Sequence, residues 1–157
     1  MIILFISMNV ILTHNQFNKN HIYFYEPIEN TIMDNSKFIK LVYSTEDITV
    51  NGIYLLMNIT ITSKENYFKK IKYNFDLNSN KELLSNLFRI EQEILMKYDT
   101  PKKTKKLNIY ESLNTGSLKI YPSTDSHKSS NNFILKISGV WENEREYGLT
   151  FKILSVS

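Results

Sequence analysis

The chain contains no cysteine. Disulfides and thiolate metal sites are therefore excluded, and a reducing, intracellular compartment is the expected setting. Only four glycines are scattered through 157 residues, so no glycine-rich loop is available to cradle a phosphate. Histidine is just as scarce, with His14, His21 and His127 only. Nucleophilic catalysis needs a base beside the nucleophile, and none of the three stands in a supporting pattern. His127 lies in a serine-rich loop, while His14 and His21 have no carboxylate at ligand spacing. The 16 acidic residues are scattered, with only Glu46 and Asp47 adjacent, and the set Glu142, Glu144 and Glu146 is interrupted by Arg145 at a turn. No catalytic activity, metal or cofactor is expected.

Alanine is absent altogether, and two arginines stand against 17 lysines, 18 asparagines and 20 isoleucines. Residues with AT-rich codons are favoured throughout, so a single Lys or Asn says little and only its position can argue. Long hydrophobic runs are missing too. The N-terminal "MIILFISMNVIL" is apolar for about a dozen residues, too short to span a bilayer. It also lacks the basic flank and small-residue cleavage site of a secretory signal. Residues 1–32 therefore read as an N-terminal extension or strand, or as an over-extended gene start, ahead of a domain over 33–157, and no membrane partner is expected. Formal charge is +3 overall. Residues 1–36 hold Lys19 against Glu26, Glu29 and Asp34, leaving the remainder mildly basic and compatible with a polyanion.

What is present is alternation. Lys37–Ser44 reads as a strand, Ile48–Thr62 as a long second strand with a bend at Gly52, and Tyr67–Phe75 as a third after a turn at Ser63–Asn66. The period then changes. Leu83, Leu87, Ile90 and Ile94 share one face of a helix that Asn78 or Asn80 caps and Pro101 stops. "LNIYESL" and "SLKIYP" predict further strands around the turn "NTG". A polar loop over Ser123–Asn132 leads to the hairpin "FILKISGVWENEREYGLTFKIL", Phe133–Leu154. The expected fold is mainly β: an OB-fold-like, partly open barrel with one α-helix between the third and fourth strands. An open antiparallel sheet with one helix packed on it is the competing architecture.

Single-stranded nucleic acid is bound by stacking bases on aromatic rings in a lysine-lined groove. Strand parity puts Lys70, Lys72, Lys119 and Lys136 on faces away from their apolar neighbours, with Tyr54 and Tyr121 opposite the apolar face or beside a lysine, and Lys40 on the side it shares with Phe38 and Val42. Lys40, Tyr54, Lys70, Lys72, Lys119, Tyr121 and Lys136, with Trp141 at the edge, form the candidate nucleic-acid-binding set. The segment Lys97–Lys106 adds five lysines against Asp99 and would make a flexible basic loop. Trp141 shares the parity of Phe133, Leu135 and Ile137, so it either plugs the barrel end or, if parity breaks near Gly139, reaches the rim.

"NGIYLLMNI", "SLKIYP" and "KISGVWENEREYGLTFKI" resemble the OB-fold single-stranded-DNA-binding proteins of nucleocytoplasmic large DNA viruses and related phage replication proteins. The resemblance covers roughly residues 33–157 in short blocks. It implies a non-catalytic protein that coats single-stranded DNA, favoured over RNA, with little sequence preference, during viral DNA replication or repair. Its setting would be the host cytoplasm or a viral replication site. The chain ends in "SVS" without the acidic tail of phage proteins, which leaves partner recruitment unsupported. The alternative is a protein-interaction or virion structural module that binds no nucleic acid and self-associates through apolar surface such as "IILFI".

Overall fold

Alternating residues fold into two β-sheets around one core in this computed structural model, which describes residues 10–122 and 131–156. Most of the N-terminal apolar run, His127 and most of the Ser123–Asn132 loop lie outside the described residues. The strands in chain order are β1 (Ile11–Leu12), β2 (Ile22–Phe24), β3 (Ile28–Glu29), β4 (Lys37–Ser44), β5 (Thr49–Asn51), β6 (Ile53–Asn58), β7 (Ile61–Tyr67) and β8 (Lys70–Phe75). Helix α1 (Lys81–Tyr98) follows, then β9 (Thr104–Lys106), α2 (Asn108–Leu113), β10 (Ser117–Ile120), β11 (Asn132–Glu142) and β12 (Glu146–Ser155).

The architecture is mainly β, with the larger sheet curled into an open half-barrel. Its spine is β11, antiparallel to β12 along its length. On its other side β11 pairs first with β6, through Asn132–Ile137, and then with β4, through Gly139–Glu142. The far half of β4 pairs instead with β5. The long second strand is thus broken at Gly52, where the chain leaves β4 and joins β11. Gly52 adopts φ +82°, and its N–H donates to the Leu41 carbonyl at 2.8 Å. A Cβ there would sit 2.8 Å from the Ile137 carbonyl oxygen. Only glycine supplies both the backbone conformation and the room.

The register of β11 on β12 shifts between Ile137 and Gly139, so Ser138 is the extra residue of a bulge. Parity inverts across it. Phe133, Leu135 and Ile137 face the core before the bulge, and Val140 faces it afterwards. Helix α1 covers this inner face with Leu84, Leu87, Ile90, Ile94 and Leu95, all buried. The described part of the N-terminal segment is built into the same core: Leu12, Phe17 and Ile22 join the cluster, and β2 pairs with β4.

The smaller sheet has the order β10-β8-β7, all antiparallel. It turns Ile71, Phe75, Leu118 and Ile120 inward, and the Tyr73 ring meets the Phe133 ring edge-on at 5.1 Å between centroids. Three expectations are corrected here. Ser63–Asn66 is not a turn but part of β7, and the reversal falls at Phe68 and Lys69. "LNIYESL" falls in helix α2, a second α-helix among the described residues where one was expected. The break near Thr60 also ends the second strand early: the buried Asn80 amide accepts the Thr60 N–H and donates to the Thr60 and Asp76 carbonyls, so it bridges loops instead of capping α1.

Gly52→Ala combines a strained positive φ with a backbone clash, and it should destabilise the fold by at least about 1–3 kcal/mol. A lowered urea midpoint at unchanged m-value is the expected result, and an unchanged midpoint would show that the junction is not constrained at Gly52.

Candidate nucleic-acid interface

Pairing registers show which side chains share a surface. On the outer face of the smaller sheet, Lys72 is flanked directly by Glu65 of β7 and Lys119 of β10, and Lys70 by Tyr67. Tyr121, just beyond β10, is 64% exposed, and the Lys70 ammonium lies 4.8 Å from its ring centroid. Lys119 lies 4.0 Å from the Tyr67 ring centroid. The reversal between β7 and β8 presents Phe68, 92% exposed, at φ +54°. A bulky residue in the left-handed region is uncommon and strained. Its ring stands edge-on to Tyr67 at 5.0 Å between centroids. Sequence alternation did not single out Tyr67 or Phe68, because both fell within a run read as one strand.

The other four candidates lie on the outer face of the larger sheet. Lys136 pairs with Tyr54 on one side and Lys152 on the other, its ammonium 5.5 Å from the Tyr54 ring centroid. Tyr54 is buried there with Ile11 and Ile134 in a small apolar cluster outside the main core. Lys40 lies 5.4 Å from the centroid of Tyr25.

Trp141 neither plugs the barrel end nor follows the parity of Ile137; the bulge at Ser138 turns it outward. It is half-buried directly opposite Gly148, whose missing side chain makes room for the indole and for Asn108. The indole N–H donates to Asn108 Oδ1 at 2.9 Å, tying β11 to the start of α2. The sole tryptophan is thus a clamp on a glycine.

A groove of about 520 Å³ separates the two sheets. Lys72, Leu118 and Lys119 form one wall, the β12 residues Phe151 to Ile153 form the other, and Ser112, Thr115 and Ser117 close the end. Three ammonium groups and three hydroxyls therefore surround one cleft. Lys152 was the residue to add to the candidate set; its parity was visible in the sequence, but nothing in the sequence placed β12 beside β10.

Only Lys72, Lys103 and Lys106 among the described lysines have a carboxylate partner. Among the described residues, Lys40, Lys70, Lys119, Lys136 and Lys152 have no carboxylate partner, and Lys72 has a partly exposed one in Glu65 at 3.5 Å. The segment expected to be a flexible basic loop is instead fixed, since β9 pairs in parallel with β12 and Lys103 and Lys106 pair with Glu142 and Glu146. Glu142 also accepts the Tyr98 hydroxyl. Burial pushes its carboxyl up, but the bonds from Lys103 and Tyr98 and the charges of Lys103 and Lys37 outweigh that, holding it below the ordinary glutamate range. The same contact, together with burial, pushes the Tyr98 hydroxyl well above its usual value.

No group of residues able to hold a metal ion occurs among the described residues, and no described helix is long and apolar enough to cross a membrane. No protein-family model, curated protein or solved structure matches the chain.

Because the folded state lowers the Glu142 value, the carboxylate stabilises the protein above its unfolded value near 4.5 and that contribution is lost as pH falls through the folded value. Trp141 fluorescence, one residue away, should report a urea midpoint that drops over this acidic window, and Glu142→Gln should flatten the drop. An unchanged profile in the variant would remove Glu142 from the clamp.

Proposed function

We propose that the chain is a non-catalytic single-stranded-nucleic-acid-binding protein with little sequence preference. The observation that carries this reading is the groove walled by Lys72, Lys119 and Lys152, beside a face that presents Tyr67, Phe68 and Tyr121. Unneutralised ammonium groups attract phosphates regardless of base, and exposed rings offer stacking surfaces that every base can use. Lysines that merely keep a surface soluble would not have to gather around one cleft with hydroxyls at its end. The preference for DNA, the OB-fold assignment and a role in viral replication or repair rest on the resemblance of the C-terminal hairpin and its neighbours to viral single-stranded-DNA-binding proteins.

A protein-interaction module remains the rival reading, and one observation favours it: Ile28 and Ile32 are 60% and 90% exposed beside β4. Light scattering with and without oligonucleotide separates the two, since the rival requires self-association that ignores nucleic acid.

Anisotropy with a labelled oligo-dT of about 30 nucleotides should show micromolar or tighter binding at low salt. Neutralising about 4–6 phosphates gives a log–log salt slope near −3 to −4. The double variant Lys72→Glu, Lys119→Glu should lose at least about tenfold in affinity and flatten that slope by over one unit. Lys102→Glu with Lys105→Glu, exposed lysines outside the groove lining, should cost less. Equal losses in the two pairs would relocate the site, and no binding by the native chain would end the proposal.

A further inference from the structure

Strand β2 and the residue after it carry a pattern that the groove does not use. Ile22 and Phe24 turn to the core, while Tyr23 and Tyr25 turn outward and are 57% and 54% exposed. Each ring lies under an ammonium group: Lys97 is 5.6 Å from the Tyr23 centroid and Lys40 is 5.4 Å from the Tyr25 centroid. Lys97 is held in place by donating to the Lys19 carbonyl at 2.8 Å, and neither lysine has an ion-pair partner among the described residues.

This row is continuous with the groove. The Tyr25 N–H donates to the Lys40 carbonyl at 2.9 Å, Lys40 pairs with Gly139 on β11, and three residues back along β11 Lys136 pairs with Lys152 at the groove wall. With strands about 4.8 Å apart and residues about 3.3 Å along each, Tyr25 and Lys152 are about 17 Å apart across one curled face. The outward positions between them on β4, β11 and β12 (Lys40, Lys136, Ser138 and Thr150) include no acid.

We propose that the Tyr23–Tyr25 row is a second stacking site for the same strand of nucleic acid, so that a strand leaving the groove crosses Lys136 and Lys40 and ends on β2. The proposal rests on the nucleic-acid reading above. It makes affinity depend on length: a short oligonucleotide fills the groove alone, and a longer one gains the second site.

The test compares oligo-dT of about 3 and about 24 nucleotides by anisotropy, using the native chain, Tyr23→Ala with Tyr25→Ala, and separately Lys97→Glu. All three altered positions are exposed, and circular dichroism checks that each variant is folded. The tyrosine pair should bind the short oligonucleotide like the native chain and the long one about tenfold or more weaker, and Lys97→Glu should shift the same way by a smaller factor. If the native chain binds and both variants match it at both lengths, or lose equally at both, the second site is overturned while the groove stands. If the native chain binds neither length, the nucleic-acid reading fails and this proposal with it.

Discussion

Gly52 stands where three strands compete for one space. There β4 gives up its pairing with β5, the chain crosses over, and β6 takes its place beside β11. A side chain at this point would meet the Ile137 carbonyl oxygen, and the positive φ would add strain. One missing Cβ therefore lets β11 be shared between β6 and β4. The bulge at Ser138, one residue beyond Ile137, is the matching irregularity on the partner strand. Together they curl the sheet around α1, and the curl sets the rim of β12 facing the smaller sheet across a groove.

The consequence for function is electrostatic. Two lysines are engaged in holding the fold: Lys103 and Lys106 tie β9 to the hairpin through Glu142 and Glu146. Those around the groove and over the exposed tyrosines have no such partners, except the Lys72–Glu65 pair, which is open to solvent and therefore weak. Rings beneath ammonium groups are also pre-paired with positive charge, so a phosphate approaching the lysine brings its base near an aromatic face. Phe68 belongs to the same logic, a ring placed in full solvent at a strained turn. Nothing in the core explains its position.

Much of this was legible in the sequence and the remainder was not, for identifiable reasons. The C-terminal hairpin, β4, β10 and α1 follow directly from local periodicity, because each buries one face within its own segment. Helix α2 does not. Its alternating "LNIYESL" suits a strand, but the buried Glu91 on α1 accepts the N–H groups of Ile109 and Tyr110, satisfying the donors of a helix start from 18 residues away. Burial and the nearby Glu111 push the Glu91 carboxyl up against the effect of those two bonds, so this contact works against desolvation. Strand β7 was hidden for the opposite reason: it is an exposed edge, so its polar residues look like a turn. The candidate residues were placed one by one by parity, but which of them meet depends on strand pairing, and that splits them four and four between two faces. Trp141 shows the limit most clearly, since a single bulge two residues before Gly139's neighbour Val140 reversed the side on which it stands.

The central claim is that a nucleic-acid strand lies in the groove between the two sheets. Ultraviolet crosslinking of the native chain to oligo-dT, followed by peptide mapping of the adducts, tests it most directly. Adducts concentrated within Tyr67–Lys72, Ser117–Tyr121 and Phe151–Ile153 are the predicted result. Adducts confined to Lys102–Lys106, or none under conditions where binding is measured, would contradict it.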